Sequence, residues 1–191
     1  LLVAPLHLRK GLLKRIRQET ENARNGLPSG IRIKVNAIVD EAIIDALYRA
    51  SNAGVPVDIL VRGICSLMPG QEGISENIRV RSILGRYLEH SRVFSFVNAG
   101  DPQVFIGSAD MMHRNLDRRV EALVRLTEPT HLEEIENIFD ISMSDDTASW
   151  WLDAAGLWTH HGTSPAGEPL QDAQDVIMRE VSSRKRTGAL R

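Results

Sequence analysis

Two short stretches hold the side chains best suited to handling a phosphate: Glu89-His90-Ser91-Arg92 and, fifteen residues after Arg92, Gly107-Ser108-Ala109-Asp110. Along an extended strand residues two apart share a face, so His90 and Arg92 point the same way, as do Ser108 and Asp110. A guanidinium grips phosphate oxygens through two parallel hydrogen bonds, and an imidazole can donate to a phosphate oxygen, move a proton or attack phosphorus. A histidine satisfied at a strand end beside an ion-paired arginine fits the same residues. A third candidate, Arg62, follows the apolar run Val55–Val61 and precedes Gly63, where a phosphate could approach backbone as well as side chain.

These residues need a scaffold, and the hydrophobic periodicity supplies one. Leu8, Leu12, Leu13 and Ile16 predict a helix over about 8–24, stopped at Asn25-Gly26. Ile31-Arg32-Ile33-Lys34-Val35 alternates like a half-buried strand, and Asp40 can cap a helix carrying Ile43, Ile44, Leu47 and Tyr48. That helix ends near Gly54 and feeds Val55–Val61. Alternation of this kind implies an α/β sheet with parallel strands, whose carboxyl ends usually carry ligands. Residues 63–78 read as a loop, Val93–Val97 and Val104–Ile106 as a hairpin, about 120–126 as a strand, about 132–141 as a helix, and 146–155 as a Trp-bearing helical segment. For His90 and Ser108 to share a face, paired residues in the hairpin must sum to an even number such as 198, which leaves the odd-numbered loop 97–101 or requires a bulge. From Gly162 onward the chain is polar, with a late basic run Arg184-Lys185-Arg186, and is expected to form a loose tail over 162–191 after one domain at 1–161.

A chain of 191 residues that is 42% hydrophobic can bury a real core. The single cysteine, Cys65, excludes an intrachain disulfide and reads as a small buried side chain, and a cytoplasmic setting is expected. Leu1-Leu2-Val3-Ala4 resembles a strand already under way with no Met start, as in a piece of something longer. The formal charge of -2 hides an asymmetry: residues 1–125 hold 18 Lys/Arg against 13 Asp/Glu, and residues 126–178 hold 11 acids and no Lys or Arg. That skew favours an anionic ligand over a nucleic-acid surface spread across the protein, although two solvated faces of opposite sign would look the same. Arg79, Arg81, Arg86 and Arg114 could extend a polyanion path or sit in surface ion pairs. His160-His161 has no partner at metal-ligand spacing, and Trp150, Trp151 and Trp158 suit packing better than base stacking.

The pattern His90-x-Arg92 followed by Gly107-Ser108-x-Asp110 resembles the phospholipase D superfamily motif, in which His-x-Lys is followed by an Asp and then by Gly-Ser-x-Asn. Here Arg92 replaces the lysine, Asp110 the asparagine, and Val97 stands where the motif aspartate belongs. Over about residues 1–160, the segments Gly26–Gly30, Gly54–Ser66, Gly73–Asn77, Leu88–Arg92 and Ser108–Asn115 resemble the last domain of bacterial polyphosphate kinases. The resemblance implies a phospholipase-D-like mixed sheet flanked by helices, and a reversible transfer of the terminal phosphate of ATP to polyphosphate through a phosphohistidine in another domain. It matches Arg62 to an arginine on the ATP phosphates and His90 to a supporting active-site histidine, with Arg92 and Ser108 as further phosphate-binding candidates. It also implies Mg²⁺ held with the nucleotide rather than by this chain. The implied partners are ATP or ADP, polyphosphate and the remaining domains, in an enzyme that forms homo-oligomers and associates peripherally with membranes. Two other readings stay open: a phospholipase-D-type phosphodiesterase joining two copies of His90 across a homodimer, and a non-catalytic oligomerisation domain.

Overall fold

The structure, a computed structural model, describes residues 1–188, with side chains as far as Ser183. Leu8, Leu12 and Ile16 recur at one-turn intervals on α1 (Leu8–Arg24), and all three are buried. The Asp40 carboxylate accepts from the Ile43 N–H at 3.1 Å and so caps α2 (Glu41–Asn52), whose Ile43, Leu47 and Ala50 face the same core. Both helices lie on one face of the sheet, against Ile31, Ile33 and Val35 of β2 (Ile31–Val35) and Val57, Ile59 and Val61 of β3 (Val57–Val61).

The remaining strands are β1 (Leu2–Ala4), β4 (Ile78–Ser82), β5 (Arg92–Phe96), β6 (Gln103–Gly107), β7 (Glu121–Leu126), β8 (Ser149–Leu152) and β9 (Trp158–His161). They form one sheet in the order β1-β7-β6-β5-β2-β3-β4-β8-β9. β2, β3 and β4 run parallel, while β5 is antiparallel to β2, and β6 to β5. The expected mixed α/β sheet is present, and this topology brings the ends of β2, β3 and β6 and the start of β5 to one edge. Among the described residues, no helix is long and apolar enough to cross a membrane.

The second face is covered by α3 (Pro129–Ser142) and α4 (Ala173–Gly188), with Phe139, Met143 and Ala173 packed on Leu60, Val93 and Val104. Basic strand residues also point to this side and meet acids from the lysine- and arginine-free segment. Arg32 binds Glu136 and Asp140, both at 2.7 Å, and Arg81 binds Asp145 at 2.5 Å with its guanidinium 4.0 Å from the Trp151 ring centre. Part of the charge asymmetry is thus neutralised inside the fold.

Three expectations are corrected. The loop assigned to 63–78 ends at Asn77, and a strand that was not expected follows it from Ile78, its arginines paired to acids: Arg79 to Asp58 while staying half exposed, and Arg81, buried, to Asp145. The segment 146–155 is not helical: β8 and β9 form a hairpin that turns at Gly156, where φ is +80, and Trp151 stacks on His161 at 4.0 Å between ring centres. The chain after Gly162 is not a loose tail as far as its side chains are described. Thr147 and Gln171 form a parallel bridge, and the buried Gln174 side chain bonds both the N–H and the carbonyl of Tyr87 at 2.8 Å. The side chains of Arg184-Lys185-Arg186 lie outside the described residues.

Candidate functional site

Asn36, the first residue after β2, stands at the centre of the strand-end edge. Its Oδ1 accepts from Arg62 Nε at 2.6 Å, at the end of β3. Its own N–H and Nδ2 donate to the two carboxylate oxygens of Asp110 at 2.8 and 3.2 Å. Asp110 in turn receives Arg92 Nε and Nη2, both at 3.2 Å. Arg92 Nη1 donates to the His90 carbonyl at 3.0 Å and lies 3.1 Å from the His90 ring Nδ1. Arg62, Asn36, Asp110, Arg92 and His90 therefore form one unbroken chain of contacts.

The backbone beneath explains why they meet. The segment after β2 is clasped on both sides: Ile38 bridges to Cys65 on one flank and to Met111 on the other. Ile38 N–H donates to Ile64 O and Val39 N–H to Met111 O, each at 2.9 Å. The Gly63 N–H donates to Asn36 O at 2.8 Å, and a Cβ on Gly63 would come within 2.7 Å of that oxygen. Glycine is therefore needed there for close backbone approach rather than for a left-handed turn.

Burial alone would raise the Asp110 carboxyl, but the hydrogen bonds from Arg92 and Asn36 outweigh it and hold the group below the usual aspartate range. It is a buried, ionised anchor. Burial pushes the Cys65 thiol up to about 11, only partly opposed by a backbone hydrogen bond at Leu67, so at neutral pH it stays protonated. The residues present do not fit a metal. Asp110 is the network's sole carboxylate and is taken up by Arg92 and Asn36, and no group of three or more His, Cys, Asp or Glu that could hold an ion occurs among the described residues.

The hairpin register differs from expectation. Arg92 lies opposite Gly107 and Phe96 opposite Gln103, so even-numbered residues pair with odd-numbered ones. The connection spans Val97 to Pro102, turning through Asn98, Ala99 and Gly100 at φ of +49, +56 and +98. His90 precedes β5 and Ser108 follows β6, so neither side chain is governed by strand alternation. Ser108 is exposed and its hydroxyl accepts from the Ala122 N–H at 3.4 Å, outside the Arg62–His90 network. Of the weaker arginines, Arg79 and Arg81 are ion-paired on the second face, whereas Arg86 and Arg114 are exposed. Asn36 carried no chemical signal in the sequence. Asp110 was visible as a motif position, but its pairing with Arg92 was not.

The depression bounded by Lys34, Leu60, Arg62, Ile83 and Glu89 has a volume of about 10 Å³. That is about the room one water molecule needs.

Comparison with known proteins gives this geometry a context. The family described as Polyphosphate kinase C-terminal domain 2 matches residues 1–174. The polyphosphate kinase of Streptomyces coelicolor is 60% identical over 178 residues, which are 93% of this chain and 24% of that protein. The polyphosphate kinase of Prochlorococcus marinus is 47% identical over 177 residues, 93% of this chain and 25% of that protein. The chain thus spans about a quarter of the length of these curated relatives. Among solved structures, polyphosphate kinase from Porphyromonas gingivalis superposes with a TM-score of 0.89 at 37% identity, covering 97% of this chain and 28% of that one. A phospholipase D family member, Nuc from Salmonella typhimurium, shares the fold at 19% identity and a TM-score of 0.54, covering 74% of this chain and 91% of that one.

Proposed function

From a chain that belongs to the polyphosphate kinase family, as its C-terminal domain 2, we propose one half of a phosphoryl-transfer site that moves the terminal phosphate of ATP to and from polyphosphate. The observation that carries this reading is the single network joining Arg62 to His90 at the carboxyl edge of the parallel strands. Arg62 has its Nε on Asn36, while its two terminal nitrogens have no partner among the described residues, leaving a fork for phosphate oxygens. Positive charge held there offsets the charge that accumulates on the transferring phosphoryl group. His90, exposed beside it, can donate to a phosphate oxygen or carry a proton as the group moves. The phosphorylated histidine belongs to another domain of the intact enzyme, and Mg²⁺ enters with the nucleotide.

A half-open site keeps its cation hydrated, so its attraction for phosphate is screened. The 191-residue chain is expected to bind ATP and long-chain polyphosphate weakly, less so as salt rises, and Arg62→Ala should weaken binding about tenfold further. Calorimetry at two salt concentrations measures this, alongside a radiolabelled-ATP assay for acid-stable polymer and phosphohistidine. Polymer formation by this chain alone, or phosphate on His90, would overturn the assignment of the nucleophile to another domain. Turnover of a chromogenic phosphodiester that His90→Ala abolishes would instead make the chain a phosphodiesterase.

A further inference from the structure

The two arginines of the site are not equivalent. Arg62 engages one nitrogen and leaves its fork open, whereas Arg92 has all three nitrogens engaged, two on Asp110 and one against His90. Its side chain is 13% exposed and that of Asp110 6%. A guanidinium so held has its charge matched by Asp110, its Nε–Nη2 edge occupied and its side chain largely withdrawn from solvent, so it is a poor receiver for a second anion. We infer that Arg92, Asp110 and Asn36 are positioning residues: Asp110 fixes Arg62 through Asn36 and His90 through Arg92, and Arg92 does not itself bind phosphate.

The argument also explains the two departures from the phospholipase D pattern. A lysine opposite an asparagine would leave a net positive charge free for a phosphate. An arginine opposite an aspartate is a compensated pair, and the two changes are meaningful only together. A lysine at position 92 would lack the planar fork that reaches both carboxylate oxygens and His90 at once. An asparagine at 110 would present an amide to donors on two sides, from Arg92 and from Asn36. Asp110 also sits where the chain leaves β6 and turns into the Met111 bridge, so the carboxylate is fixed by backbone on both sides of it. Asn36 links Arg62 to this anchor, accepting from Arg62 and donating to Asp110.

This inference rests on the phosphoryl-transfer reading, and the test separates the two. In intact polyphosphate kinase carrying this domain, kcat and KM for ATP are measured for Asp110→Asn, Arg92→Lys and Asn36→Ala. Misalignment of about 1 Å at a reacting centre lowers rates by about a hundredfold. Each variant is expected to lose about 10- to 100-fold in kcat with KM for ATP within about twofold of the parent, the signature of groups that act on the transition-state geometry. The double variant Asp110→Asn/Arg92→Lys should lose no more than the worse single variant, because the pair acts as one unit. If Asp110→Asn does not fold, Asn36→Ala carries the test, since it leaves the Arg92–Asp110 pair and the backbone N–H bond of residue 36 to Asp110 in place while removing the side chain that tethers Arg62 to Asp110. A rise in KM for Arg92→Lys as large as that for Arg62→Ala, or unchanged kcat in Asn36→Ala, would overturn the inference. Parent-like kinetics for Arg62→Ala and His90→Ala would instead remove the underlying reading.

Discussion

Replacing Gly107 by alanine is expected to destabilise the protein by about 3 kcal/mol or more, at the upper end of what overpacking a closed structure usually brings. A Cβ built there lies 1.9 Å from the Ala122 carbonyl oxygen and 2.8 Å from a methyl of Leu123. The first obstacle is backbone and cannot rotate aside. Gly107 pairs with Leu123 on β7 and with Arg92 on β5, so the strands must part at the end of the sheet that carries the site. For a chain of this length the loss corresponds to a fall in Tm of about 6–12 °C, read by thermal unfolding. Gly73→Ala is the control, because φ is +68 there but nothing lies within 4 Å of a new Cβ. Only the left-handed strain of about 1–2 kcal/mol applies. A Tm for Gly107→Ala within about 2 °C of the parent would show that β7 shifts freely. The glycine of the Gly-Ser-x-Asp pattern is then a packing requirement that serves the site at one remove.

Glu19→Ala is expected to rank with it. Glu19 is 1% exposed on α1, and its two oxygens accept from the Gly30 N–H at 3.0 Å and the Asn98 N–H at 2.7 Å. One carboxylate thus ties the helix to the turn before β2 and to the β5–β6 connection. Truncation strands two backbone donors, each at about 1–3 kcal/mol. Burial raises the Glu19 carboxyl above its ordinary range, and the two backbone bonds only partly oppose this. The folded state therefore holds the proton more tightly than the unfolded chain, whose glutamate titrates near about 4.3. The contribution of this group is complete below that value and is lost as pH rises through the folded value. Glu19→Gln should flatten that slope and retain part of the tie, losing one acceptor. Urea unfolding of the three proteins from pH 4 to pH 7 measures both effects. Destabilisation under about 1 kcal/mol for Glu19→Ala would mean that water takes over the two donors.

Much of this was legible in the residues. The intervals of Leu8, Leu12 and Ile16, the capping Asp40 and the alternation of Ile31–Val35 placed α1, α2 and β2. Arg62 could be placed at a strand end because an apolar run stopped just before it, and the resemblance to polyphosphate kinases singled out His90. Elements failed where charge or composition concealed the period. In Ile78-Arg79-Val80-Arg81 every second residue is an arginine, which reads as surface until Asp58 and Asp145 are seen beside them. In the β8–β9 hairpin, Ala154 and Ala155 lend helical character to a turn that Gly156 closes. The hairpin register was out of reach because it depends on three successive left-handed residues, of which only Gly100 announces itself. Asn36 escaped notice because a hydrogen-bonding junction has no spacing rule. Its partners lie 26 and 74 positions away.

That separation also orders events in time. A nascent chain that has emerged only through Gly100 already contains β2, β3 and β5, with Arg62 and Asn36 in place, yet it lacks Asp110 and the strand that delivers it. Contacts between distant positions close late because the intervening chain must first be ordered. The network around Asn36 is therefore expected to close only when β6 docks on β5 and brings Asp110 beneath Asn36. The Asn36 amide, which donates to that carboxylate, is the natural reporter. In pulsed hydrogen exchange during refolding it should become protected after the amides that β2 shares with β3, and protection that came first would show that the segment is ordered before its anchor arrives.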